Sequence, residues 1–221
     1  MAYFESETLS FLRALKRNNR RPWFLKNKPR YEEFGKEPMI RLIADLKKPI
    51  SAFAPWADVD PKPNGGSMMR IYRDIRFSKD KSPYKTHLSA HFPHRHSDDG
   101  VHGPGYYLHL EPGGSFAGGG VWHPEPKALR MIRDAIRSRP EAWLSATAGL
   151  EVEGDKLKRP PQGVSPDDPL IEDLKLKDFF VTVEFSDKDV CSKNFPQKVI
   201  KAYQSITPMM RFLSEAVRLP W

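Results

Sequence analysis

The sequence predicts an α+β domain in which an antiparallel sheet of about five or six strands is packed with N-terminal and C-terminal helices. Three observations lead there. Apolar residues recur at three- and four-residue spacing near both ends of the chain. From about residue 50 the periodicity changes, and proline-rich segments lead into short β-type runs bounded by glycine and proline that continue to 122. The connections between those runs are too short for crossover helices, so neighbouring strands run antiparallel.

A first helix is predicted over about 6 to 17, with Leu9, Phe11, Leu12 and Leu15 on its apolar face and Ser6 as its cap. Asn18 and Asn19 end it, and Arg20 to Phe24 reads as a loop whose Trp23 and Phe24 pack inward. A second helix starts near Pro29 and carries Tyr31 and Phe34 inward, and Pro38 kinks or splits it. Met39, Leu42, Ile43 and Leu46 then repeat at amphipathic spacing in a helix expected to end before Pro49.

Asn64-Gly65-Gly66 is a turn signal leading into a strand over 67–72. Further strands are predicted at 86–92, 105–110 and 115–122, and Phe179 to Phe185 is the clearest of all, with β-branched and aromatic residues throughout. Gly118-Gly119-Gly120 weakens its strand unless another backbone or a ligand comes close there. Between these strands, Pro126 opens a helix that buries Leu129, Ile132, Ala135 and Ile136. A shorter helix from Pro140 carries Trp143 and Leu144 and stops at Gly149. Residues 152–172 read as a long ordered loop in which Asp167 and Asp168 form turns. Ser192 caps a final helix bearing Phe195, Val199, Ala202 and Ile206, which Thr207-Pro208 restarts.

At 221 residues, without a linker or internal repeat, residues 1–221 are expected to form one domain. No apolar run approaches the roughly 20 residues that span a bilayer, and the start has no signal-peptide pattern, so no membrane partner is expected. Cys191 is the single cysteine, reads as inert, and agrees with a reducing cytoplasm.

The net charge of +8 is unevenly spread: residues 1 to 110 hold 20 Lys/Arg against 12 Asp/Glu, and the remainder balances. Its densest part is 70–85, where Arg70, Arg73, Arg76, Lys79, Lys81 and Lys85 meet only Asp74 and Asp80. Guanidinium forks match carboxylates and phosphates, so these residues, joined by His87 and by Arg20 and Arg21 of the Asn18 to Arg21 loop, form a candidate anion site. The alternative is a structural network in which the acids pair with the arginines.

The run Tyr72-Arg-Asp-Ile-Arg-Phe-Ser-Lys-Asp-Lys-Ser-Pro-Tyr-Lys-Thr-His87 resembles the signature of a bacterial and fungal family known as domain of unknown function 2461. Asn18-Asn-Arg-Arg-Pro-Trp-Phe24, Gly105 to Leu110 with Gly118 to Gly120, and Leu157 to Pro161 with Leu176-Lys177 fit the same pattern. The resemblance spans nearly the whole chain and implies no activity.

Three functions fit these residues. The first is binding of a phosphorylated or carboxylated small ligand by the Arg/Lys cluster. The second is nucleic-acid binding, with Tyr72, Phe77, Tyr84 or Tyr107 stacking on bases. The third is a hydrolase or phosphoryl-acting enzyme with His87 as acid or base, oriented by Asp74 or Asp80. No nucleophile elbow, phosphate-cradling loop or zincin motif appears, so no cofactor is expected. All seven histidines lie between 87 and 123; on a strand His87 and His91 share a face, and His94 to Gly100 reads as a polar hairpin loop. A zinc site would show tighter spacing with a Cys or carboxylate partner, and no metal is expected.

Overall fold

The structure, a computed structural model, describes residues 2–98 and 102–221. Helix α1 spans Ser6–Arg17 as its periodicity requires, but Glu5, not Ser6, caps it, in a reciprocal arrangement with Thr8. The segment 21–24, expected as loop, is helical: α2 runs Arg21–Tyr31 with Pro22 in its first turn, where the missing N–H would have no intrahelical partner anyway. A π-helical turn, Glu32–Lys36, joins α2 to α3, Glu37–Ser51. One helical run therefore extends from 21 to 51.

Four prolines within helices explain why the predicted breaks are absent. A proline leaves the carbonyl four residues earlier without a donor. For Pro29, Pro49 and Pro208 that carbonyl belongs to Leu25, Asp45 or Gln204, all exposed residues near solvent. For Pro38 it is Phe34, and there the buried Thr8 hydroxyl donates to the Phe34 carbonyl oxygen at 2.7 Å. The π turn absorbs the ring, and α1 supplies the lost hydrogen bond.

The sheet has four strands in the order β1-β2-β3-β4, all antiparallel, rather than five or six. These are β1, Leu88–Pro93; β2, Gly105–Leu110; β3, Ser115–Val121; and β4, Phe179–Phe185. The expected strand at 67–72 runs beside β1 and makes only isolated bridges, Met68 to Ala90 and Tyr72 to Tyr84. Met68 pairs with Ala90 but Tyr72 with Tyr84, so the register shifts by two residues between the bridges and no continuous ladder forms. Within the loop joining β1 to β2, Asp99 and Gly100 lie outside the described residues.

Helices α4, Pro126–Ser138, and α5, Pro140–Ala146, fall where expected, and Gly149 follows α5 at φ +74°. Short helices α6, Ile171–Leu174, and α7, Asp187–Val190, flank β4. Buried Asp178 orders the start of the 152–172 segment by accepting from the backbone N–H groups of His123 and Asp155. Asp168 accepts from the Leu170 N–H at 2.9 Å, a turn role. Ser192 closes α7 by donating to the Asp189 carbonyl oxygen, and α8, Phe195–Ala216, starts after it. It passes through Pro208 without restarting.

Alternation along the strands sends Leu88, Ala90, Phe92, Tyr106, Leu108, Leu110, Ala117 and Val121 into the core. Helix α8 packs on that face over β3. Gly119 permits the approach, because a Cβ there would lie 3.1 Å from Met210 Sδ and 3.2 Å from Ile206 Cγ2. Tyr106 donates or accepts across this layer to Thr207 at 3.0 Å. Trp143 from α5 fills the far end between Phe179 and Phe212. No helix is long and apolar enough to cross a membrane among the described residues.

Candidate functional site

Strand parity puts Ser89, His91, Gly105, Tyr107, His109, Phe116, Gly118 and Thr182 on the face turned away from α8. Over it lies a cavity of about 470 Å³. Its floor is backbone where Gly105 pairs with Gly120 and Tyr107 with Gly118. Apolar walls come from Met69, Phe116, Trp122 and Phe180, and the polar groups are Lys85, His91, Tyr107 and Thr182. A Cβ on Gly105 would lie 2.5 Å from His91 Nε2, so that glycine makes the room the imidazole occupies. Few polar groups on an apolar wall characterise small-molecule sites.

Burial holds the His91 imidazole down at about 4, so it is neutral near pH 7. Burial also lowers the Lys85 ammonium, and nearby Arg70 adds to the effect. Lys85 has no ion-pair partner among the described residues.

Beside this cavity, His87, His109 and Glu111 converge: one donor atom from each lies within 4.8 Å of the others. The His87 and His109 rings approach to 4.1 Å, and His109 Nε2 is 3.4 Å from Glu111 Oε2. Phe116 stacks on His109 at 4.8 Å, and the Tyr107 hydroxyl lies 3.4 Å from His109 Nδ1. Burial pushes His87 down to about 4, aided by His109 and Lys85, and it pushes His109 down as well. For Glu111 burial raises the carboxyl, but Lys16 and His109 outweigh it and leave the group below its ordinary value. Lys16 Nζ and Thr86 Oγ1 each donate to Glu111 Oε1 at 3.3 Å.

The basic stretch divides into two parts. Residues 72–84 form a projecting loop closed by the Tyr72–Tyr84 bridge and by the Arg73 N–H donating to the Pro83 carbonyl oxygen. Arg73 reaches Asp80, Ser78 and the Ser82 carbonyl oxygen within that loop. Arg76 pairs with Asp74 through two nitrogens, and Lys81 donates to the Ile75 carbonyl oxygen. Arg76 holds the Asp74 carboxyl down at about 2; Ser82, followed by Arg73, does the same for Asp80. Arg70 and Lys79 are exposed. Lys85 and His87, at the far end, belong to the sheet face instead. Neither Asp74 nor Asp80 bonds to His87, whose neighbour is His109.

Arg20 and Arg21 sit at the exposed start of α2, next to the basic stretch in space. Asn19 makes the connection, its side-chain amide donating to the Tyr84 carbonyl oxygen and accepting from the Tyr84 N–H. Phe24 stacks on Tyr84 at 4.0 Å, which confirms the inward packing expected of it. Two further histidines make contacts away from the sheet face: His94 Nε2 bonds the Pro220 carbonyl oxygen, and His123 pairs with buried Asp178. Cys191 is partly buried and its thiol is raised by that burial, in keeping with an inert role.

Sequence reading did not select His109 and Glu111. The available signal was His109-Leu-Glu111 at a period of two, with Tyr107 in the same phase. That His87 faces them depends on the register of β1 against β2, which pairs Leu88 with Leu110.

The family model described as conserved hypothetical protein, domain of unknown function 2461, matches residues 7–212. The chain belongs to that family, as the Tyr72 to His87 run implied. No curated protein and no solved structure matches it.

Proposed function

We propose that this member of the domain of unknown function 2461 family binds a small ligand with a flat apolar body and a carboxylate or phosphate group in the sheet-face cavity. Lys85 carries this reading. It is a half-buried ammonium without an ion-pair partner among the described residues, at the wall of a largely apolar cavity whose other polar groups are uncharged. A buried charge is favourable only when paired, and a ligand anion would provide the pair. Tyr107, Phe116 and Trp122 offer aromatic surface for the body of the ligand, and His91 and Thr182 offer neutral polar contacts.

The test is thermal unfolding against a panel of aromatic carboxylates, sugar phosphates and nucleotides, because a ligand that binds only the folded state raises the midpoint. The expected result is a selective rise that disappears in Lys85→Met and persists in Arg76→Ala. A panel without effect, or a rise that Lys85→Met retains, refutes the reading.

The projecting loop favours a second reading, nucleic-acid binding. Phe77 at its tip is 94% exposed, with Arg76 over its ring at 5.8 Å. Stacking and phosphate contact by this loop would give binding of single strands that weakens steeply with salt and is lost in Phe77→Ala. Salt-independent binding excludes it.

A further inference from the structure

We infer that His87, His109 and Glu111 form a three-ligand site for a divalent first-row transition metal ion. This goes beyond the cavity reading and stands without it, since the metal alone is the probe.

The donors are arranged by the sheet itself. His109 and Glu111 are two residues apart, so they project from one face at the end of β2. The β1–β2 register, continued by one residue beyond Leu88 and Leu110, sets His87 opposite Glu111. All three therefore share one face without any special loop. Their donor atoms already lie within 4.8 Å of one another, and the His109–Glu111 pair is at 3.4 Å. Ligands at about 2.0 to 2.2 Å from one ion lie roughly 3 to 3.5 Å apart, so gathering the third needs side-chain movement of about 1 Å.

The surroundings hold the donors as metal ligands are usually held. Tyr107 lies at His109 Nδ1 and so leaves Nε2 directed toward Glu111. Phe116 and His87 sandwich the His109 ring. On Glu111, Lys16 and Thr86 take Oε1, while Oε2 is the oxygen beside His109. Two imidazoles and one carboxylate suit zinc, iron or cobalt in the divalent state, and three protein ligands leave coordination positions open for water or a substrate oxygen. Lys16 opposes the ion. Its ammonium occupies the carboxylate from the solvent side, and its side chain is 69% exposed and able to move away.

The experiment uses full-length protein made without an affinity tag, stripped with a chelator and titrated with Zn²⁺ or Co²⁺. Equilibrium dialysis with elemental analysis, supported by the visible absorption of bound Co²⁺, reports the stoichiometry. The expected result is saturable uptake of one equivalent, weakened by at least about 10- to 100-fold, the loss typical of removing an outer partner, in His109→Ala and Glu111→Gln and unchanged in His96→Ala. Lys16→Met removes only the competing cation, on the surface, and should tighten binding severalfold. Should His109→Ala not fold, Glu111→Gln and Lys16→Met decide, with circular dichroism confirming their structure. Absence of saturable uptake by the wild type, or uptake that neither variant alters, overturns the site.

Discussion

Replacing His91 by phenylalanine should remove a specific part of the acid sensitivity of this fold. The imidazole lies on the cavity wall in the space made by Gly105, and burial holds it at about 4 against an ordinary 6.5. Below pH 6.5 the unfolded chain takes up a proton there that the folded chain refuses. Stability is therefore unaffected by His91 above the unfolded value and declines as the pH falls from 6.5 toward 4. With those two values, the loss between pH 7 and pH 5 is about 2 kcal/mol. His87, His94 and His109 are also held below their ordinary values, but they titrate in both proteins and cancel in the difference. Urea unfolding of wild type and His91→Phe at a series of pH values between 5 and 8 measures that difference directly. The wild type should lose about 2 kcal/mol more than the variant over this interval. Parallel curves would refute the reasoning, as would an NMR titration placing the His91 midpoint near its ordinary value.

Thr8→Val should cost about 1 to 3 kcal/mol, because it strands the Phe34 carbonyl oxygen that Pro38 deprives of a helical donor. Thr8→Ser should recover most of that loss, and a valine variant with the wild-type urea midpoint would show that the π turn satisfies itself. Gly120→Ala would set a Cβ 2.0 Å from the Phe179 carbonyl oxygen at φ +153°, so it should cost more than about 4 kcal/mol or yield insoluble protein. A soluble alanine variant with a normal thermal midpoint would contradict the close β3–β4 contact.

Local signals in the sequence determined most of the elements. Leu9, Leu12 and Leu15 mark α1, the β-branched run marks β4, and Gly149 marks the end of α5, because each depends only on periodicity or on one residue's backbone freedom. The prolines misled for the same reason. Whether Pro38 breaks a helix depends on Thr8, a donor 26 residues before the Phe34 carbonyl that it satisfies, which no local pattern reveals.

The basic stretch was visible as a cluster, and its likeness to one family was legible from its residues alone. Only the tertiary structure decided how the stretch divides. Its projecting loop folds Arg73 and Arg76 onto its own aspartates, while the same chain delivers Lys85 and His87 to the sheet face. The meeting of His87 with His109 and Glu111 was decided by strand register, since a slip of one residue would turn His87 to the other face of the sheet. Composition supplies the donors, but a cross-strand pairing, fixed by the burial of Leu88 and Leu110 beneath it, brings them together.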